Sequence, residues 1–332
     1  MLVSVVIPAH NAAGTLPKCV KACLNQTYTQ VEVIVVDDGS EDDTPQAAQS
    51  FPIRYIRQDQ AGPAAARNRG AREARGDLVA FTDADCIPEP DWVERLVEGF
   101  TRDGIVGVGG TYGIANPDNL LARIVHEEIM ARHARFGDEV DFLGSFNVAY
   151  RRSAFEAVGG FDEAFSAPSA EDNDLAYRLA DAGGAFRFMR AARVAHHHPT
   201  RLGSYLRTQM SHGFWRMTLN ARHPGRARRG ARYAAGAELA APVLALLIAL
   251  GLAAMPLAAL SETALMVTAA ATLVLLSVFV LIYLRLVGRM VRSSRDLRML
   301  LFLDVVLLRD AARGIGMIRG VWWFMVRRKA TA

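Results

Sequence analysis

Residues 31–40, VEVIVVDDGS, place a run of apolar, mostly β-branched side chains directly before two acids and a turn. Such a run predicts a strand that is buried on both faces, because β-branched residues favour extended backbone. Similar apolar runs occur elsewhere in the first hundred residues, at 3–7, 53–57 and 78–82. Patterns typical of helices separate these runs, at 14–27, 44–50 and 63–75. Strands that alternate with helices predict an α/β fold with a mostly parallel sheet and helices on both faces.

Polar residues come directly after three of the predicted strands: His10 and Asn11, Asp37 and Asp38, and Asp83 and Asp85. Ligands of open α/β sheets bind at the edge formed by the carboxyl ends of the strands. We therefore expect the functional site to include these side chains.

The two acid pairs suggest different chemistry. Asp83 and Asp85 alternate on an extended segment, so both carboxylates face one side and offer hard oxygen ligands for Mg²⁺ or Mn²⁺ bound with a diphosphate. Asp37 and Asp38 can accept hydrogen bonds from a nucleobase or from ribose hydroxyl groups. Because the sequence Asp-Gly-Ser also favours a turn, a structural role for Asp37 and Asp38 stays open.

Charge divides the 332-residue chain, although its net charge is only +4. Residues 1–200 contain 19 Lys and Arg against 29 Asp and Glu, whereas residues 201–332 contain 19 against 5. The basic residues of the second part flank long apolar runs, which favours contact with an anionic membrane surface over nucleic acid binding. Hydrophobic residues make up 51% of the chain, which excludes a disordered or fibrous protein.

Two apolar runs, at residues 239–261 and 263–284, contain no charged residue. Each is long enough to cross a bilayer as a helix, which takes about 20 residues. Arginines flank the pair on both sides and none lies between the runs, so the positive-inside rule predicts a hairpin in the inner (plasma) membrane with both flanks in the cytoplasm. Residues 299–326 mix apolar and charged side chains and predict interfacial amphipathic helices, although a third span stays open.

Six motifs occur in the order that is typical of one enzyme family: VSVVIPAHN (3–11), VDDGSEDDT (36–44), GPAAARNRG (62–70), FTDAD (81–85), GGFDE (159–163) and AEDNDL (170–175). Together they resemble the family 2 glycosyltransferases, which are inverting enzymes with the GT-A fold. The resemblance covers roughly residues 1–200 and implies a Rossmann-like, mostly parallel sheet with helices on both faces.

The resemblance also implies roles for individual residues. Asp172 would be the catalytic base, with Glu171, Gly144 and Ser145 on the acceptor side. The residues that would bind the nucleotide-sugar donor are Pro8, Ala9, Asn11, Asp37, Asp38, Arg67 and Asp83. Asp85 would bind Mg²⁺ or Mn²⁺ together with a histidine, for which His196 fits best and His198 is the alternative.

Taken together, the resemblance over residues 1–200 and the charge and hydropathy pattern of the remaining chain predict a cytoplasmic catalytic domain at residues 1–220. A basic linker would follow at 221–235, then two transmembrane helices at 236–285 and basic interfacial helices at 286–332. The implied activity is metal-dependent transfer of a sugar from a nucleoside-diphosphate sugar to a hydroxyl of a lipid-linked or membrane-near glycan, as in the synthesis of cell-envelope polysaccharides. Two alternatives stay open: a polyprenyl-phosphate sugar transferase, whose acceptor is a phosphate, and a catalytically silent membrane scaffold.

Overall fold

A computed structural model describes residues 1–165, 169–227 and 236–330 of the chain. Most of the basic linker predicted at 221–235, and the last two residues of the predicted interfacial segment, lie outside the described residues.

The strands of the described residues form one mixed sheet. They are β1 (Val3–Ala9), β2 (Val31–Asp38), β3 (Arg54–Gln58), β4 (Leu78–Thr82), β5 (Cys86–Pro88), β6 (Ile105–Ile114), β7 (Glu139–Val140), β8 (Asn147–Arg151) and β9 (Ala185–His196). Their order across the sheet is β3-β2-β1-β4-β8-β6-β9-β5, and β7 pairs with β9.

Helices connect these strands and form the C-terminal part of the chain. They are α1 (Leu16–Leu24), α2 (Thr44–Gln49), α3 (Pro63–Glu73), α4 (Trp92–Glu98), α5 (Leu120–His133), α6 (Arg152–Ala157), α7 (Glu171–Asp181), α8 (Leu202–Arg222), α9 (Pro224–Ala227), α10 (Ala241–Ala258), α11 (Glu262–Ser294) and α12 (Phe302–Ala330). Short 3-10 helices at Gly236–Leu239 and Leu297–Leu301 precede α10 and α12.

The first four strands run parallel, which confirms the predicted fold class. β1 lies between β2 and β4, and alternate side chains of each strand face opposite sides of the sheet. Val5 and Val35 pack in one core, whereas Val6 and Ile34 pack in a second core on the other face. Because both faces are covered, nearly every residue of the central strands is apolar.

The second half of the sheet contains antiparallel strands that the apolar runs did not predict. β8 pairs antiparallel with β4, so that Asn147 lies opposite Thr82. β5 pairs antiparallel with the end of β9, so that Cys86 lies opposite His196. These pairings bring residues from the second hundred of the chain to the edge where β4 ends.

The described chain forms two compact units. The first unit consists of Met1–Asp118 and His133–His198 and contains the sheet. The second unit consists of Asn119–Arg132 and Pro199–Ala332, so that α8 and all of α5 except its last residue, His133, belong to it. The units therefore divide the chain differently from the domains predicted from sequence, whose boundary lay at residue 220. The extent of the catalytic domain, residues 1–220, stays a prediction.

In the second unit, α10 and α11 are long and apolar enough to cross a membrane. Only 17% and 11% of their most apolar stretches are buried within the protein. A core helix of a soluble domain would be mostly buried, because exposed apolar side chains of that number are costly in water.

A buried cluster of charges joins α5 to α12 within the second unit. The Glu128 carboxylate accepts hydrogen bonds from Arg309 at 2.6 and 2.7 Å and from Arg132 at 2.8 Å. Arg309 also donates to Asp310 at 3.0 Å. Although burial opposes it, the charges of Arg309 and Arg132 lower the pKa of Glu128 to about 2, so this carboxylate is ionised in the folded chain. The interfacial placement of residues 299–326 stays a prediction.

Candidate active site

The loops that follow β1 and β2 are joined by hydrogen bonds. Asn11 has a positive φ of 49°, its N–H donates to Ser40 Oγ at 3.0 Å, and its Oδ1 accepts from the Glu41 N–H at 2.9 Å. His10 Nδ1 donates to the Asp38 carbonyl at 2.9 Å. Asn can adopt a positive φ more readily than most residues. The loops therefore form one surface at the carboxyl edge of the sheet, with Asn11 exposed on it.

Asp38 organises the segment that leads into α3. Its buried carboxylate accepts from the N–H groups of Ala61 and Gly62 and from Gln58 Nε2, each at 2.8 Å. Gly39, the next residue, has a positive φ of 73°, which favours glycine. A Cβ at this position would lie only 2.9 Å from the Gln60 backbone nitrogen, so only glycine fits. Asp38 thus shapes the loop beside the predicted base pocket, and its own contact with a base stays a prediction.

Asp37 is buried next to Asp38. Its carboxylate accepts from the Ser40 N–H at 2.9 Å and from the Tyr55 hydroxyl at 2.6 Å. Burial alone would raise the pKa of Asp37, but these hydrogen bonds outweigh burial and lower it. Pro8 and Ala9 lie opposite Val36 and Asp37 in the register of β1 and β2. The predicted donor-side residues of the first two strands are therefore neighbours.

Arg67, on α3, links two acids that are 88 residues apart in sequence. Its guanidinium donates to Asp83 Oδ1 at 2.8 Å and to Glu171 Oε1 at 3.0 Å, and it lies 5.6 Å from the centroid of the Phe161 ring. The Arg67 residue is only 2% exposed. Although burial opposes it, the charges of Asp83 and Glu171 raise the pKa of Arg67. Arg67 is therefore always charged and holds the end of β4 beside the start of α7.

Glu171, predicted on the acceptor side, and Asp172, the predicted catalytic base, are the first two residues of α7. Glu171 is buried against Arg67, whereas Asp172 is half-buried and accepts hydrogen bonds from the Asn173 N–H at 2.7 Å and the Asn173 side chain at 2.8 Å. Burial and the neighbouring Asp172 carboxylate raise the pKa of Glu171 against the opposing effect of Arg67. The two acids thus differ in environment, and Asp172 is the more accessible one.

Asp85 and His196 meet because of the antiparallel register between β5 and β9. His196 Nε2 lies 3.5 Å from Asp85 Oδ2, and the His197 N–H donates to the Asp85 carbonyl at 3.1 Å. Two ligands of one ion with bonds of about 2.1 Å are separated by at most about 4.2 Å, so this pair fits a divalent cation.

Cys86 lies in the same cluster, since atoms of Asp85, Cys86 and His196 that could ligate a metal are all within 4.8 Å of one another. Burial and the charges of Asp83 and Asp85 raise the pKa of the Cys86 thiol well above its ordinary value. Without a bound cation, the Cys86 thiol donates to Asp85 Oδ1 at 3.6 Å.

Sequence reasoning placed Asn147, the first residue of β8, in the loop that would border the acceptor, but it did not predict the buried hydrogen bonds that this side chain makes. Trp92 Nε1 donates to its Oδ1 at 2.7 Å, and its Nδ2 donates to the carbonyls of Thr111 and Ala192 at 2.9 and 3.0 Å. This buried side chain holds three elements together directly after the loop that contains Gly144 and Ser145. A lone Asn in the motif SFNV carries no signal of such a role, because its partners come from distant parts of the chain.

A mixed α/β sheet with acids at its carboxyl edge is the arrangement expected of a glycosyltransferase of the GT-A fold. The family described as glycosyl transferase family 2 matches residues 4–159. Glycosyltransferase AglE of Haloferax volcanii is 33% identical over 221 residues, which cover 64% of this chain and 71% of that protein. The chain therefore belongs to the family 2 glycosyltransferases.

Other relatives differ in length. The pre-mycofactocin glycosyltransferase of Mycobacterium tuberculosis is 34% identical over 67% of this chain, and the probable glycosyltransferase YdaM of Bacillus subtilis is 34% identical over 57% of it. The chain spans about half the length of each of these two proteins, 48% and 49%.

Proposed function

We propose that the protein transfers a sugar, with inversion, from a nucleoside-diphosphate sugar to a hydroxyl of a lipid-linked or membrane-near glycan. The observation that supports this proposal is the link through Arg67, which joins Asp83, after β4, to Glu171, the residue that directly precedes Asp172. A donor bound at the strand ends would then have a carboxylate base beside it.

The reaction follows from these groups. A hydroxyl is a weak nucleophile at neutral pH, and Asp172 would remove its proton as it attacks the sugar. One base is sufficient for a single displacement with inversion, since no covalent intermediate needs a second nucleophile. The loops of Asn11, Asp38 and Gly39 would hold the nucleotide, so that the sugar lies toward Asp83.

Asp85 and His196 would hold Mg²⁺ or Mn²⁺ in this proposal. The chemistry that such a cation supplies is neutralisation of the charge that develops on a diphosphate leaving group. The two ligand atoms, a carboxylate oxygen and an imidazole nitrogen 3.5 Å apart, are of types that bind such a cation.

The proposal is tested by incubating purified full-length protein with a panel of radiolabelled nucleotide sugars and native membrane lipids, with Mn²⁺ present or with excess chelator. We expect one donor to be consumed with label in the lipid fraction, and consumption to stop in chelator. Equal turnover in chelator would contradict the metal part of the proposal. Absence of turnover with every donor in the presence of Mn²⁺ would favour the scaffold alternative.

We further propose that α10 and α11 anchor the enzyme in the inner membrane as a hairpin, with the sheet in the cytoplasm. Arg285, Arg289 and Arg292 on α11 and the arginines before α10 would then lie against anionic headgroups. Their attraction would keep the acidic first unit close to the bilayer, where a lipid-borne acceptor is available.

Cysteine labelling tests this topology. In a cysteine-free background, Leu260→Cys places a thiol between α10 and α11, and Leu297→Cys places one after α11; these residues are 88% and 73% exposed. An impermeant maleimide added outside intact cells should modify only Leu260→Cys, and both variants should react once the cells are permeabilised. Modification of Leu297→Cys in intact cells would mean an odd number of spans before it, or the opposite orientation, and would overturn the hairpin.

A further inference from the structure

His198 is fixed in place by contacts of its backbone. The His198 N–H donates to Asn116 Oδ1 at 3.0 Å, and its carbonyl accepts from Asn116 Nδ2 at 2.8 Å. The His198 residue is only 3% exposed, and its ring stacks on Tyr112 with centroids 5.8 Å apart and an angle of 29° between the planes. Neither backbone hydrogen bond involves the imidazole nitrogens of His198.

The ring of His198 faces the ring of His196. Their Nδ1 atoms are 3.3 Å apart, and the ring centroids are 4.9 Å apart. The other nitrogen of His196, Nε2, lies 3.5 Å from Asp85 Oδ2. The two nitrogens of His196 are therefore divided between two neighbours, with His198 on one side and the Asp85 carboxylate on the other.

This arrangement restricts the position of the proton on His196. A neutral imidazole that ligates a cation through Nε2 carries its hydrogen on Nδ1. A contact between two nitrogens is a hydrogen bond only if one donates and the other accepts. Nδ1 of His196 would then donate to Nδ1 of His198, which accepts and carries its own hydrogen on Nε2. Groups that orient a metal-binding histidine in this way commonly change metal affinity 10–100-fold.

We propose that His198 is a positioning residue that holds the His196 imidazole with its Nε2 lone pair directed toward Asp85. This inference rests on the metal site of the proposed function and assigns His198 to the support of His196 rather than to ligation. His196 is the ligand, and His198 sets its ring orientation and tautomer.

The test compares three substitutions at position 198 in the full-length protein. Asn places an amide oxygen where Nδ1 of His198 lies, Gln places its amide about one bond further out, and Leu has no acceptor. Binding of Mn²⁺ alone is measured from the signal of free Mn²⁺ in electron paramagnetic resonance. We expect His198→Leu and His198→Gln to bind Mn²⁺ 10–100-fold more weakly than the native protein, and His198→Asn to bind within about threefold of it.

Thermal unfolding of each variant separates an effect on the metal site from loss of the fold. Asn and Gln are both polar amides, so their comparison decides the matter even if His198→Leu does not fold. Native-like Mn²⁺ affinity of His198→Gln, or equal weakening in His198→Asn and His198→Gln, would overturn the inference. So would a native protein that binds no Mn²⁺.

Two controls distinguish failure of this inference from failure of the proposed function. Asp85→Asn should abolish Mn²⁺ binding whatever His198 does, because it removes a proposed ligand charge. If Asp85→Asn loses Mn²⁺ and His198→Gln does not, the metal site stands and only the role of His198 is wrong. If the native enzyme turns over a nucleotide sugar without binding Mn²⁺, the proposed metal dependence is wrong as well.

Discussion

Asp172→Asn is expected to lower kcat by 10²–10⁴-fold, because an amide cannot accept the proton of the attacking hydroxyl. Asn has nearly the same size as Asp and keeps an oxygen that can accept from the Asn173 N–H, a contact of 2.7 Å in the native chain. Donor affinity should therefore change little. The measurement is steady-state transfer of labelled sugar, together with calorimetric titration of the donor.

Asp181→Asn serves as the matched control, since this exposed acid ends the same helix. We expect its kcat to stay within about twofold of the native value, as is usual for an exposed site. Near-full activity of Asp172→Asn would remove the base from the mechanism. That result would favour the polyprenyl-phosphate alternative, in which the acceptor is already an anion.

Arg67→Met is expected to lower the free energy of unfolding by about 3–5 kcal/mol. The reason is that Glu171, which is buried, loses its cationic partner at 3.0 Å, and Asp83 loses its partner at 2.8 Å. Met is unbranched and fills much of the space left by the aliphatic part of the Arg67 side chain. The measurement is urea or thermal unfolding of the protein in detergent.

Two further measurements identify the cause of this loss of stability. Arg67→Met combined with Glu171→Gln should recover part of the stability, because the buried charge is removed along with its partner. Arg67 also opposes the rise in the pKa of Glu171, so that this pKa should rise further in Arg67→Met. A carboxyl group with a raised pKa in the folded state loses stability as the pH rises toward that value. The deficit of Arg67→Met should therefore be larger at about pH 8 than at about pH 6.

A deficit that is independent of pH and not reduced by Glu171→Gln would show that Arg67 acts only by filling space. The link between Asp83 and Glu171 would then carry no electrostatic role. Arg69→Met, on the exposed face of α3, is the control and should cost little, since its ion pair with Glu73 is mostly solvated.

The sequence predicted the parallel half of the sheet because each of its central strands is buried on both faces, so that nearly all of its residues are apolar. The polar residues after β1, β2 and β4 were predicted to share an edge, and the structure places them there. The local sequence pattern was sufficient to predict this half of the sheet, because its strands are apolar runs that pair with neighbouring runs.

The partners across the site were not predictable in the same way. His196 reaches Asp85 through the register of β5 and β9, and Arg67 reaches Glu171 through the packing of α3 against the start of α7. Both contacts depend on strand and helix pairings between distant segments, which composition and periodicity do not encode. The burial of Arg67 was also unexpected, because charged residues in a Gly- and Ala-rich helix are usually exposed.

The position of α5 means that the two parts of this chain are not interchangeable modules. A chain shortened after His198 would keep every strand of the sheet, but it would also keep α5, whose Ile124 and Ala131 pack with residues of α10 and α11. Glu128 would lose its buried counter-charge Arg309. A water-soluble form therefore requires a redesigned surface on α5 as well as removal of the C-terminal helices. A foreign membrane anchor could replace those helices only if it supplied both an apolar groove and a cation for α5.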